Sequence, residues 1–198
     1  SYYSLLRGAV SPERWTQAAA ELGYGAAAIA DVNALYGAAE FYKAAKARGI
    51  KPVIGAEILT DAQRAILLIE DERGYSNLCR VISARNLESD FCLTGELAKG
   101  NAGLICIALR PDGAGGLGEV MGKGNIFYGC REEKDISAAK RAGLEPAANA
   151  TYNMMDNDDI VRMNILSRIR HLSVEGPGCE DHCGLEAMPA ELELREQF

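Results

Sequence analysis

"IADVNALYGAAEF", residues 29–41, decides how the chain is read, because an apolar run ends there on a carboxylate and turns at once into a helix. Ala26 to Ala30 reads as a buried strand with Asp31 at its carboxyl end. Proteins with α/β folds gather ligand and metal chemistry at that end of their parallel strands, so Asp31 is a candidate site residue. Tyr36 to Arg48 continues at helical spacing, Gly49 closes it, and "KPVIGAEIL" over Lys51 to Leu59 returns as a strand.

The alternation extends both ways. Upstream, Ser11 and Pro12 open a helix whose apolar positions Trp15, Ala18, Ala19 and Leu22 recur at helical spacing before Gly23. Downstream, Ala65 to Ile69 is an apolar run suited to a strand buried on both faces, and Ser76 is read as the cap of a helix through Ala84. "GLICIAL" (103–109) and "NIFYGC" (125–130) are further strands, separated by a glycine-rich loop from Asp112 to Gly124. A helix over Glu132 to Arg141, a strand in "EPAANATY" and a longer helix from Asp156 to His171 complete the pattern. Strands and helices in turn, with short links, imply parallel strands joined by crossover helices, either closed into a barrel or doubly wound. The region 175–198 is expected to hold a turn and a short terminal helix.

Composition narrows the function. A chain of 198 residues with 48% hydrophobic and 25% charged residues can bury a core. Its net charge of -7 argues against strong direct nucleic-acid binding, which rests on clustered Lys and Arg. The six cysteines are scattered and read as reduced thiols of a cytoplasmic protein rather than a disulfide framework. No apolar run approaches the roughly 20 residues that a membrane span needs.

Three collinear blocks, "SYYSLLRGAVSPE", "ALYGAAEFYKAAKARGIKPVIGAE" and "IEDERGYSNLCRVIS", resemble the amino-terminal PHP (polymerase and histidinol phosphatase) domain of bacterial DNA polymerase III alpha subunits and their error-prone relatives. The tail from "RMNILSRIRHLSV" to "AMPAELELREQF" also resembles the end of that domain. The resemblance covers nearly all of residues 1–198 and implies a single PHP domain. The implied fold is a distorted seven-stranded β/α barrel of the TIM-like kind, with strand ends that hold a metal cluster used by some members for phosphoester hydrolysis. Such chemistry needs several His and carboxylate ligands that hold ions about 3.5–4 Å apart.

The ligand inventory is thin. Active relatives carry a His-x-His pair just before the segment matching "SYYSLL", so the first barrel strand is expected to be missing or truncated here. Where the family follows its strand-ending aspartate with histidine, this chain has Val32 after Asp31. Glu57 matches the family's strand-ending glutamate, but Thr151 and Asn153 stand where the family has an Asp-x-His pair. Neutral side chains replace carboxylate and imidazole poorly. The two histidines, His171 and His182, match no family ligand. Asp31 and Glu57 are therefore the only metal candidates, and no catalytic residue is named. No cofactor is expected; the pair could catch a loosely held Mg²⁺ or Mn²⁺, with Zn²⁺ a poorer match. Asp31 could equally cap the following turn with Asn33.

The resemblance implies a catalytically degenerate scaffold in DNA replication or translesion synthesis, with the polymerase core and a proofreading exonuclease subunit as partners. The alternative is an active metal-dependent phosphoesterase or 3′ to 5′ exonuclease that draws on ligands upstream of Ser1; a small-anion binding module is a third reading. Other motifs have plainer explanations. "CEDHC" (179–183) offers three soft ligands but no second pair. "DNDD" (156–159) reads as an acidic helix start. Arg162, Arg168 and Arg170 read as a solvated helix face, and Tyr36, Phe41 and Tyr42 as packing of a crossover helix. Tyr2 and Tyr3 are expected near the barrel mouth, in space that the lost ligands would have filled.

Overall fold

A computed structural model describes residues 1–111, 114–149 and 153–171. The elements among them are α1 (Pro12–Glu21), β1 (Ala26–Val32), α2 (Ala38–Ala47), β2 (Lys51–Leu59), β3 (Arg64–Ile69), α3 (Glu72–Leu87), α4 (Leu93–Lys99), β4 (Leu104–Ala108), α5 (Ala114–Met121), β5 (Ile126–Cys130), α6 (Glu133–Ala142), β6 (Glu145–Ala148) and α7 (Asn157–His171). The fold is α/β, with one six-stranded mixed sheet in the order β1-β2-β3-β4-β5-β6. The chain divides into two compact units, one with residues 1–29, 36–52 and α7, the other with residues 30–35 and 53–149.

In the first unit, α1 starts as its sequence dictates: Ser11 Oγ accepts from the Arg14 amide at 3.2 Å and Pro12 takes the first helical position. α2 buries Phe41, Ala44 and Ala45. Of the aromatic trio read as packing residues, only Phe41 is enclosed, whereas Tyr36 and Tyr42 are exposed. α7 is capped by Asp156, whose Oδ1 accepts from the Asp159 amide at 2.8 Å. Asp159 is fully buried and accepts from Arg14 Nη1 and Arg162 Nη1, both at 3.1 Å, and from the Met155 amide at 3.0 Å. Arg14 Nη2 also reaches Asp156 Oδ2 at 2.7 Å. The acidic run is thus a clasp between α1 and the start of α7. The opposite face of α7 leaves Val161, Ile165 and Ile169 in solvent, together with Arg162 and Arg168, so its aliphatic row is not its packed side.

The second unit holds most of the sheet. β3 runs antiparallel to both neighbours, while β4, β5 and β6 are mutually parallel. Uniformly parallel strands, as the alternation suggests, are ruled out by the link between β2 and β3. Its four residues, 60–63, cannot carry a crossover, and they close a turn in which Thr60 N donates to Gln63 O and Gln63 N to Thr60 Oγ1. From β3 to β4 the chain passes through two helices, α3 and α4, and so returns to the end it left.

One face of the sheet packs beneath the helices, with Ala56, Ile58, Ala65, Leu67, Cys106 and Ala108 against Leu78, Val81, Leu93 and Leu97. Burial pushes the Cys106 thiol up to about 12, which leaves it an inert core group. Two helices lie where the sequence shows none. α5 occupies the glycine-rich stretch read as a loop, because Ala114, Leu117 and Met121 bury themselves at helical spacing. α4 is short, but Leu93 and Leu97 have no exposed surface. α3 begins four residues before Ser76: Asp71 Oδ1 accepts from Gly74 N at 2.8 Å, and Ser76 Oγ merely donates to Glu72 O.

α3 and α4 are tied by a buried carboxylate. Glu96 accepts from Arg80 Nη1 at 2.7 Å and from Lys99 Nζ, and the Lys99 bond most of all holds its carboxyl below the usual range. A carboxyl lowered on folding stabilises the fold above its unfolded value of about 4.3 and loses that contribution as pH falls through its folded value. Between pH 5 and 2 the thermal midpoint of the native chain should therefore fall further than that of Glu96→Gln. Equal slopes in melting curves followed by circular dichroism would refute the assignment.

Candidate functional site

The site has to be built from the carboxyl ends of β1 and β2. Asn33 N donates to Glu57 O at 2.8 Å and Lys51 N to Gly25 O at 2.9 Å. In a parallel ladder both bonds give the same register, with Val32 level with Glu57 and Asp31 level with Ala56. Residues level with one another project to the same face. Val32 therefore shares its face with Glu57, while Asp31 shares the helix-covered face of Ala56. Both carboxylates are buried, at 1% exposure for Asp31 and 4% for Glu57, but the register sends them to opposite sides of the sheet. The two residues singled out as metal candidates are not brought together.

Glu57 has a cation of its own. Arg64, the first residue of β3, places Nε 2.7 Å from Glu57 Oε1, and its side chain is 19% exposed. The antiparallel register pairs Leu59 with Arg64 and Glu57 with Ile66, so Arg64 sits one same-face position further along the ladder and reaches back. The level row continues from Glu57 through Ile66, Ile107 and Phe127. The row runs on from Phe127 to the exposed Glu145 of β6, and at its near end Glu57, already bound by a guanidinium, lies between valine and isoleucine. This donor set does not fit a divalent ion, which takes several oxygen ligands. Among the described residues no three His, Cys, Asp or Glu side chains are grouped to hold one.

The turn after β1 is organised by Asn33, whose φ of 51° is left-handed and suits asparagine. Its Oδ1 accepts from Leu59 N at 2.9 Å and its Nδ2 donates to Leu59 O at 3.2 Å, so the side chain continues the β1–β2 ladder past the last strand residue. Asn86 Nδ2 donates to Asn33 O at 3.1 Å. In the turn read for Asp31 with Asn33, the part of Asn33 is carried by its side-chain amide.

Tyr2 and Tyr3, read as residues of the barrel mouth, both bind Glu40 within their own unit. Tyr3 Oη donates to Glu40 Oε2 at 2.6 Å and Tyr2 Oη to Oε1 at 3.1 Å. That carboxylate raises the Tyr3 hydroxyl well above its ordinary range. Asn153 O accepts from Ala9 N at 3.0 Å. Thr151, the "CEDHC" motif and the region 175–198 lie outside the described residues. Arg64 is the site residue with no signal in the sequence: an arginine opening a strand carries no motif, and its partner follows only from the hairpin register.

The PHP domain family matches residues 1–151. The DNA polymerase III subunit alpha of Bacillus subtilis is 37% identical over 203 residues, covering 86% of this chain and 18% of its own length. An error-prone DNA polymerase from Anaeromyxobacter is 33% identical over 159 residues, covering 73% of this chain and 14% of its own length. The chain thus spans less than a fifth of these relatives. Among solved structures, an amidohydrolase from Chromobacterium violaceum aligns with a TM-score of 0.45 and 15% identity, over 77% of this chain and 85% of its own. No helix among the described residues is long and apolar enough to cross a membrane. With its strand-ending Glu57, its blocks of polymerase-like sequence and a family match over most of its length, the chain belongs to the PHP domain family.

Proposed function

We infer that this chain is the PHP domain of a DNA polymerase III alpha-type protein that has given up hydrolysis and is kept as a platform for polymerase domains. One observation carries the reading: the side chain level with Glu57 on its own face is Val32, which cannot bind a metal. Asp31, on the other face, cannot supply the missing ligand, so Mg²⁺ or Mn²⁺ would meet Glu57 alone and Zn²⁺ would fare worse. No step of phosphodiester hydrolysis is left for these residues to perform. The named relatives are polymerases of replication and error-prone synthesis, which favours polymerase core domains as the partners and the cytoplasm as the location. A proofreading exonuclease subunit is a further partner under this reading.

The test is direct. Purified chain, incubated with a chromogenic phosphodiester in millimolar Mn²⁺ and separately in Zn²⁺, should release no more product than the metal alone. Hydrolysis that disappears in Glu57→Gln would establish the opposite reading, an active phosphoesterase.

A further inference from the structure

We propose that Arg64 is the resident cation of this site, and that its guanidinium and a divalent metal exclude one another at Glu57. The inference rests on the reading of the site as non-hydrolytic and deepens it: an absent ligand explains weak binding, whereas Arg64 makes the site closed.

A carboxylate with 4% exposure needs a counter-charge, because an unpaired ion in the interior is expensive. Arg64 supplies that charge with Nε at 2.7 Å, in the range of a charge-assisted bond, and from a strand rather than a loop. Its own position is fixed by the sheet: Leu109 N donates to Arg64 O at 3.0 Å, and Arg64 pairs with Leu59 across the ladder. An arriving ion would have to displace a guanidinium held from the same sheet, and would then find Val32 on one side and Ile66 on the other. Placed beside the guanidinium instead, it would face like-charge repulsion at short range.

The experiment uses the full chain with Mn²⁺ as the probe, followed by calorimetry and by the electron paramagnetic resonance of free ion. Four forms are compared: native, Val32→His, Arg64→Gln and the double substitution. The register places an imidazole at position 32 level with Glu57, so Val32→His supplies a second ligand without touching the guanidinium. Val32→His alone should bind Mn²⁺ no better than the native chain, while the double variant should bind at least tenfold more tightly and lose the gain on Glu57→Gln. Val32→His with Arg64→Lys, which restores a cation, should revert toward the weak value. Equal affinity in Val32→His and the double variant would overturn the proposal, as would a folded double variant with no gain. Should the double variant not fold, the single Arg64→Gln decides: Mn²⁺ should raise its melting temperature more than that of the native chain, and no difference would overturn the proposal. Phosphodiester hydrolysis by the native chain would sink the non-hydrolytic reading, whatever these titrations return.

Discussion

Replacing Gly74 by alanine should lower the thermal midpoint by about 6–12 °C. A Cβ built on Gly74 would lie 1.8 Å from the Gly103 carbonyl oxygen, which is backbone and cannot swing aside. The same carbonyl accepts from Glu70 N at 2.9 Å, and Gly103 itself has a φ of +76°. Asp71, which caps α3, packs against Gly103 as well: a Cβ there would come 2.0 Å from Asp71 Oδ1. The methyl group therefore forces the first turn of α3 away from the start of β4. Inserted bulk in a packed interior costs about 1–3 kcal/mol, and a backbone collision belongs at the top of that range. Melting followed by circular dichroism checks it, and a fall of less than 2 °C would show that the two loops separate freely.

Asp159→Ala is expected to be the second most costly change, at about 2–3 kcal/mol. The carboxylate is fully enclosed, and its removal leaves the Met155 amide without an acceptor and unties Arg14 from α7. The loss stays below that of a dry ion pair because Arg14 and Arg162 have side chains 38% and 60% exposed, so both guanidinium groups can turn to water. Asp159→Asn should recover about half of the loss, since an amide oxygen still receives the Met155 bond. Urea unfolding of the three forms measures this. An alanine variant within about 0.5 kcal/mol of the native chain would mean that the clasp contributes nothing.

Much of the fold is legible because it is local. Ser11 and Pro12 announce α1 through capping chemistry, and Lys51–Leu59 is bounded as β2 by its apolar run and the glycine before it. The elements that escape are those stabilised from outside. α5 carries glycines that cost about 1 kcal/mol each in a helix, and it persists because Leu117 and Met121 meet the core. The candidate site is less legible than the fold. Asp31 draws attention as the charged residue that ends a strand, yet which face a strand residue occupies relative to its neighbour is set by register, and register is written in hydrogen bonds between distant segments. One residue of offset moves the interest from Asp31 to Val32. The Glu57–Arg64 pair likewise depends on a hairpin whose tightness is visible in the sequence but whose cross-strand diagonal is not.

The strand order has a consequence for how the chain acquires its shape. Each strand lies beside the one before it in sequence, from β1 to β6. The sheet can therefore grow at one edge during translation, with every new strand closing only the loop just synthesised, and closure entropy rises only slowly with loop length. Synthesis proceeds at about 5–20 residues per second, far slower than such closures, so an emerging strand meets a finished edge rather than a collapsed tangle.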